Sequence, residues 1–256
     1  MFKISPYKLT MYETCPQQYK FTYIDYLADE FKTPKPYLTM GAHVHNSLKD
    51  FYEQVAPTER TYEVLEQILR KRWKENRRGF ANTADEKEWG LKALQMLKLY
   101  VHKNDITRNP IMLENYYDAD LTEDIKVLGR IDRIDQDAEG LHVIDYKTGK
   151  FDEAEVSDEQ LAIYAMIIRA NQTIPVYKAS YLYLATNQWY SIDISDDLFQ
   201  PIQEELIAKV NQIRSDKQYQ PKVSDRCKHC DFIEICPQSS EAKRFIEQQR
   251  YVSNPV

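Results

Sequence analysis

Glycine is scarce in this chain of 256 residues, which contains only six. Proteins contain about 7% glycine on average, so the composition argues against a glycine-rich sandwich, a propeller or a low-complexity chain. Three of the six, Gly129, Gly140 and Gly149, lie within one stretch of 21 residues. Because glycine permits tight turns and close backbone approach, we expect one or both in this stretch.

Long apolar runs and an excess of positive charge are also absent from the sequence. No uncharged apolar run approaches the roughly 18 residues of a membrane span, and residues 1–7 contain no apolar core of signal-peptide length. We therefore expect a cytoplasmic protein with no membrane partner. The formal net charge is -6, which weakly opposes nucleic-acid binding, although a local basic groove would satisfy the same electrostatics.

Two kinds of periodicity divide the chain. Apolar residues recur at helical spacing up to about residue 110, and alternation of β-branched and aromatic residues then takes over. The order predicts one α/β domain over 1–256, with an antiparallel-looking sheet, a helical insertion after His45 and a cap built from both termini. We expect helices at about 38–56, 60–78, 86–104, 157–171, 196–215 and 240–251. We expect strands at about 111–118, 125–136 and 141–147, followed by a hairpin that turns at Asn187.

Two carboxylates and a lysine stand out on consecutive predicted strands. Asp145 and Lys147 are two residues apart, so they share one face of a strand, and Asp132 lies on the preceding strand. Carboxylate oxygens suit a hard divalent cation, and a lysine beside them can orient or deprotonate a water. Metal-assisted phosphodiester hydrolysis requires these parts. The alternative is an exposed hairpin with paired charges, each pair worth only about 0.2–1 kcal/mol.

Three further side chains accompany this group. His45 lies near a helix start, and imidazole is a better ligand for manganese or iron than for magnesium. Gln160 and Tyr164 are four residues apart, so they share one face of the helix that follows the strands. The plainer alternatives are a surface or core histidine and an ordinary amphipathic edge. We expect no catalytic role for His43, which lies on a different helix face.

The motifs that contain these residues resemble those of a known family. G-x-x-x-H spans residues 41–45, G-x-x-D-R spans 129–133, D-Y-K-T-G spans 145–149 and Q-x-x-x-Y spans 160–164. Together they are similar to the PD-(D/E)xK nuclease superfamily, in particular its RecB-like branch. That branch includes the nuclease domains of RecB and of the AddAB helicase–nucleases, and the CRISPR-associated exonucleases. Ile131 stands where the family name has proline, a common departure in this branch.

The resemblance implies a fold and a reaction. The fold would be a restriction-endonuclease-like mixed sheet flanked by helices, with a helical part at about 1–110, a nuclease core at about 111–195 and a C-terminal helix and tail at about 196–256. The protein would be a metal-dependent DNA nuclease, an exonuclease on single strands or ends. It would act in DNA repair, recombination or CRISPR adaptation, with a helicase or CRISPR integrase partner. The alternative is a non-catalytic nucleic-acid-binding or assembly subunit with this fold.

The resemblance also implies roles for single residues. Lys147 would position the attacking water and stabilise developing negative charge. Gln160 and Tyr164 would support the site and the DNA. Four residues would hold Mg²⁺ or Mn²⁺: His45, Asp132, Asp145 and, through its backbone carbonyl, Tyr146.

The four cysteines form one isolated residue and a distant triplet. Cys15 lies far upstream of Cys227, Cys230 and Cys236, which have the spacing C-x2-C-x5-C. In a cytosolic protein this pattern favours metal over disulfides, and the spacing leaves zinc and an iron–sulfur cluster both open. The resemblance implies a structural four-iron four-sulfur cluster that closes the tail onto the N-terminal region. A zinc-stapled structural protein is a further alternative, but it leaves the carboxylates unexplained.

A basic run covers residues 70–78, with six basic residues and one acidic residue. It could follow phosphates while its tryptophan stacks on a base. The alternative is a solvated helix face. The candidate DNA contacts are Arg72, Trp73, Arg77 and Arg78.

Overall fold

The computed structural model describes residues 1–153 and 156–253, which divide into two compact units. The larger unit consists of Met1–Lys3 and Pro34–Glu204, and the smaller unit of Ile4–Thr33 and Glu205–Val256. No helix in the described part of the chain is both long enough and apolar enough to span a membrane. The assignment of 1–256 to a single domain stays a prediction.

Each predicted helix and strand is present, within a few residues of its expected bounds. The helices are α1 (Pro6–Thr14), α2 (Pro16–Tyr23), α3 (Ala28–Phe31), α4 (Pro36–Gln54), α5 (Tyr62–Glu75), α6 (Thr83–Lys103), α7 (Asp158–Asn171), α8 (Phe199–Ser215) and α9 (Ser239–Ser253). The strands are β1 (Phe2–Ile4), β2 (Met112–Thr122), β3 (Ile125–Gln136), β4 (Leu141–Lys147), β5 (Val176–Tyr183) and β6 (Gln188–Asp193). Short 3-10 turns lie at Pro57–Glu59, Asp196–Leu198, Asp225–His229 and Ile233–Ile235.

Side-chain caps fix where several helices begin. The Ser5 hydroxyl accepts a hydrogen bond from the backbone N–H of Lys8, and proline follows Ser5 at the first helical position. In the larger unit, Asn82 caps α6 and Ser157 caps α7. Because Gln160 donates the N–H that Ser157 accepts, this cap also fixes the backbone of a candidate site residue.

The sheet is mixed and has six strands in the described residues. β1, β3, β4, β5 and β6 are neighbours in that order, and β2 pairs with β3. The pairs β2–β3, β3–β4 and β5–β6 are antiparallel, whereas β4 and β5 are parallel. The strands β2, β3 and β4 thus form the expected antiparallel sheet, and β5 lies parallel to β4 because α7 crosses over and returns the chain in the same direction. The mixed sheet flanked by helices that the resemblance implied is confirmed.

Alternation along β4 assigns its residues to the two faces of the sheet. Ile144 and Tyr146 pack into an apolar core with residues of α4, α5 and α6. Asp145 and Lys147 point to the other face, on the side of α7, where residues 161–168 of the helix are all buried. The candidate catalytic residues of β4 therefore lie on the α7 side of the sheet.

Gly140 makes the turn between β3 and β4. Its φ of +137° is a conformation that side chains disfavour, and an added Cβ would lie 2.4 Å from the carbonyl oxygen of Pro175. That oxygen cannot easily move away, because it accepts a hydrogen bond from the N–H of Leu141 at 2.8 Å. The turn that the sequence predicts around Gly140 thus depends on the absence of a side chain.

We expect Gly140→Ala to lower the free energy of unfolding by roughly 1–3 kcal/mol, because the new methyl group combines a steric clash with a strained backbone. Gly149→Ala is the matched control, since a Cβ there meets nothing within 4 Å. Urea denaturation of both variants measures the difference. Equal stability of the two variants would contradict this account of the turn.

Candidate active site

Three side chains that can bind a metal ion lie close together in the larger unit: His45, Glu114 and Asp132. We call these three residues the ligand group. They come from α4, β2 and β3, and one ligand atom from each lies within 4.8 Å of the other two. The Nδ1 atom of His45 is 3.2 Å from Oε1 of Glu114 and 3.3 Å from Oδ1 of Asp132. Both carboxylates are buried, and the imidazole is half-buried.

Glu114 is a member of the ligand group that the sequence analysis missed. Its side chain is only 2% exposed, and Oε2 lies 2.8 Å from Nε of Arg130. Its φ is +47°, which is uncommon for a residue with a side chain and concentrates at functional sites. The same strand also carries Asp118 and Asp120, so nothing in the sequence singled out Glu114 among its acidic residues.

Asp145 and Lys147 lie beside the ligand group. Nζ of Lys147 is 2.8 Å from Oδ2 of Asp145. Burial raises the pKa of Asp145 to about 6; the nearby carboxylate of Asp132 adds to the rise, and the Lys147 ammonium and His45 oppose it. Asp145 therefore interacts electrostatically with the ligand group without being one of its three closely spaced members.

A backbone hydrogen bond ties β3 to β4 at this point. The N–H of Tyr146 donates to Oδ2 of Asp132 at 2.8 Å, which leaves Oδ1 of Asp132 toward His45. The Tyr146 ring lies on the opposite face, where its hydroxyl is 3.3 Å from that of Tyr100. The role of the Tyr146 carbonyl as a ligand stays a prediction.

Negative charge is in surplus in the ligand group. Burial by itself would lower the pKa of His45, but the carboxylates of Asp132 and Glu114 outweigh it and raise the pKa to about 10. At neutral pH a proton on the imidazole would therefore compensate part of the carboxylate charge. One imidazole nitrogen and several carboxylate oxygens are a donor set that suits a divalent cation such as Mn²⁺, so the residues present fit the metal that the motifs imply.

The Q-x-x-x-Y pair connects to Lys147 through an aromatic ring. Gln160 Nε2 donates to the hydroxyl of Tyr164 at 2.9 Å, and its Oε1 accepts from the hydroxyl of Tyr181 at 3.0 Å. The Lys147 ammonium lies 4.5 Å from the centroid of the Tyr181 ring, within the range of a cation–π contact. Gln160 and Tyr164 thus position the Tyr181 ring that contacts the Lys147 ammonium.

Gly129 permits this arrangement from the β3 side. An added Cβ would lie 3.0 Å from Cδ1 of Ile167 and 3.2 Å from Cδ1 of Tyr164. The first residue of the G-x-x-D-R motif therefore allows α7 to approach β3 closely, which keeps Tyr164 near the candidate catalytic residues.

Several arginines of the basic run make ion pairs within the protein. Arg72 donates to both carboxylate oxygens of Asp50 at 2.6 and 2.7 Å, and Arg77 donates to those of Glu86 at 2.6 and 2.7 Å. The Trp73 ring stacks on Phe80 at 5.6 Å between ring centroids. These contacts offset part of the expected local charge excess, and the structure does not bring the run to the ligand group. A DNA-binding role for Arg72, Trp73, Arg77 and Arg78 stays a prediction.

His43 lies apart from the ligand group. Its Nε2 is 2.7 Å from the backbone oxygen of Asn76, and its ring lies 4.9 Å from that of Trp73. The structure thus gives this histidine contacts with α5 and the segment after it, and none with the carboxylates.

The four cysteines line one small cavity in the smaller unit. Cys15 lies between α1 and α2, and Cys227, Cys230 and Cys236 lie in and after the two 3-10 turns of the tail. All four thiols are free of disulfides. Burial raises the pKa of Cys230 to about 11, and the other three thiols add to the rise. The structure therefore brings together the four residues that the sequence singled out.

Comparison with known proteins identifies the family. Residues 3–237 match the model described as the PD-(D/E)XK nuclease superfamily, and the chain therefore belongs to this superfamily. The superfamily that the motifs suggested is thus confirmed. None of the curated proteins compared matches the sequence.

Two solved structures resemble the chain. The crystal structure of a protein named "Putative exonuclease" from Eubacterium rectale has 14% sequence identity and a TM-score of 0.55, covering 89% of this chain and 87% of that one. The crystal structure of SSO0001 has 17% identity and a TM-score of 0.43, covering 93% of this chain and 86% of that one. At this identity, the first likeness shows a shared fold.

We expect Glu114→Gln to weaken Mn²⁺ binding by at least about tenfold, because it removes one charge and one ligand oxygen from the ligand group. Asp120→Asn is the control, since Asp120 is on the same strand but its side chain is 66% exposed. Titration calorimetry of the purified protein with Mn²⁺ measures both. An unchanged affinity in Glu114→Gln would exclude Glu114 as a ligand.

Proposed function

We propose that this protein is a metal-dependent deoxyribonuclease that acts as an exonuclease on single strands or DNA ends. The observation that carries the proposal is the ligand group with Asp145 and Lys147 beside it. A non-catalytic binding subunit has no need for buried carboxylates gathered around an imidazole, since burying charge is unfavourable unless something compensates it.

The ligand group would hold the cation, with Asp145 at its edge. A divalent cation held there would supply Lewis-acid polarisation of a phosphate oxygen and would make the attacking water more acidic. Lys147 presents its ammonium next to Asp145, where it orients the water and stabilises negative charge that develops on the phosphate. Gln160 and Tyr164 act through Tyr181, whose ring contacts the ammonium of Lys147 and holds it in position.

The assignment of DNA as the substrate and of exonuclease action rests on similarity to other proteins. The motifs resemble those of DNA exonucleases in the RecB-like branch, and the Eubacterium rectale protein with a similar fold is named an exonuclease. Roles in DNA repair, recombination or CRISPR adaptation, and a helicase or CRISPR integrase partner, are proposals of the same origin.

We expect Asp132→Asn and Lys147→Gln each to reduce Mn²⁺-dependent cleavage of labelled DNA by at least about 10²-fold. Lys126→Gln is the matched control on β3, because Lys126 pairs with Asp118 and Asp120 away from the ligand group. Gel assays with single-stranded and double-stranded DNA measure the rates. A wild-type protein that binds DNA but does not cleave it with Mn²⁺ would support the non-catalytic alternative.

We also propose that Cys15, Cys227, Cys230 and Cys236 hold a four-iron four-sulfur cluster. All four line one cavity, as ligands of a single metal centre must. The choice of a cluster over zinc rests on the resemblance of the one-plus-three cysteine pattern to that of the RecB-like branch.

We expect protein purified without oxygen to be brown, with a broad absorption band near roughly 400 nm. Cys227→Ser should lose most of this band, because three thiolates hold the cluster less tightly than four. Iron, sulfide and zinc analysis accompanies the spectrum. A colourless protein with one equivalent of zinc would replace the cluster with a zinc site.

A further inference from the structure

A pocket opens on the face of the sheet opposite to Asp132 and Asp145. Its volume is about 450 Å³, within the range of small-molecule sites. Asp135 of β3 pairs with His142 of β4, and alternation places both on the face that Ile144 also occupies. We call this the back-face pocket and define it by Lys103, Arg108, Asp135, His142, Lys178 and Trp189.

The floor of the back-face pocket is a buried ion pair. Arg133 donates to both carboxylate oxygens of Asp135 at 2.7 Å, and each residue is 5% exposed. Nη1 of Arg133 also donates to the hydroxyl of Tyr100 at 2.7 Å. Because Arg133 satisfies the charge of Asp135 with paired hydrogen bonds, the floor is rigid and nearly neutral.

One wall of the pocket is held by a single buried arginine. This wall is the segment between α6 and β2, which carries Arg108. Arg60 donates to the backbone oxygens of Ile106 and Arg108 and to the side chain of Asn109, at 2.8–3.0 Å. The segment lacks regular secondary structure, yet these bonds fix its backbone. The pocket is therefore built before any ligand arrives.

The rim of the pocket has an excess of positive charge. Among the residues that line the pocket, Lys103, Arg108 and Lys178 outnumber the one exposed carboxylate, that of Asp105, and Asp193 of β6 lies opposite Lys178 on the same face. Arg108 lies 3.9 Å from Asp135, at the outer limit of an ion pair, and Asp135 is already satisfied by Arg133. This excess stands out in a chain of net charge -6 and favours an anionic ligand.

An aromatic surface adjoins the three cations. Trp189 of β6 is 41% exposed, and its ring centroid lies 6.0 Å from that of His142. An exposed indole next to cations offers a flat surface on which a nucleobase can stack, while the cations contact phosphate.

We propose that the back-face pocket binds a nucleotide, with its phosphate on Lys103, Arg108 and Lys178 and its base on Trp189. The nucleotide is either free or part of a nucleic-acid strand, since both present the same phosphate and base. This site is distinct from the ligand group, and the proposal stands whether or not the ligand group cleaves DNA.

Titration calorimetry of the full chain with dAMP in EDTA tests the proposal, because chelation removes divalent cations from the ligand group. We expect saturable binding, weakened at least tenfold in Lys103→Gln/Arg108→Gln and in Trp189→Ala. Lys87→Gln/Lys98→Gln is the control with the same change of charge, and both of its lysines are exposed residues of α6. Thermal melts verify that each variant folds, and Lys178→Gln replaces a variant that does not.

Two further ligands identify the source of the nucleotide. A short thymidine oligonucleotide that binds tenfold more tightly than dAMP, with the same variant pattern, assigns the pocket to a strand; comparable or weaker binding assigns it to free nucleotides. Inorganic phosphate that binds as tightly as dAMP, with no effect of Trp189→Ala, would overturn the role of the base. The absence of saturable binding of both nucleotide ligands, or equal binding by the variants and the control, would overturn the site.

Discussion

Alternation of side chains along β3 and β4 is the constraint on which this molecule depends. Asp132 and Arg133 are consecutive, as are Asp145 and Tyr146, so each pair sends one residue to either face of the sheet. Asp132 and Asp145 serve the candidate active site. Arg133 and Tyr146 join Tyr100 in a buried hydrogen-bonded group on the other face. A slip of one residue in register would exchange the two sets and lose both.

The candidate active site depends on a proton of His45 to balance its charge. Glu114, Asp132 and Asp145 are buried carboxylates, and burying such groups is costly without a partner. Arg130 pairs with Glu114 and Lys147 pairs with Asp145, which leaves the imidazole proton to compensate the third carboxylate. A divalent cation would displace that proton, so metal uptake and proton release would be coupled in a site of this kind.

The sequence predicted the parts of the site that local spacing encodes. Asp145 and Lys147 share a face because they are two residues apart, and Gln160 and Tyr164 because they are four apart. Glu114 could not be found this way, since its direction depends on a positive φ that no neighbouring residue announces. The same limit explains why the ion pairs of the basic run could not be predicted from the sequence. Asp50 neutralises Arg72 from 22 residues away, a pairing that only the packing of α4 against α5 creates.

Arg60 satisfies irregular backbone in a way that depends on its donor count. Its five N–H groups are all used, on the oxygens of Tyr52, Val55, Ile106, Arg108 and the Asn109 side chain. Arg60→Lys would keep the charge but offer three donors on one atom, so at least two of the five acceptors would lose this partner. A lysine therefore does not replace Arg60, although it carries the same charge. Only the guanidinium can join these chain segments through five hydrogen bonds at once.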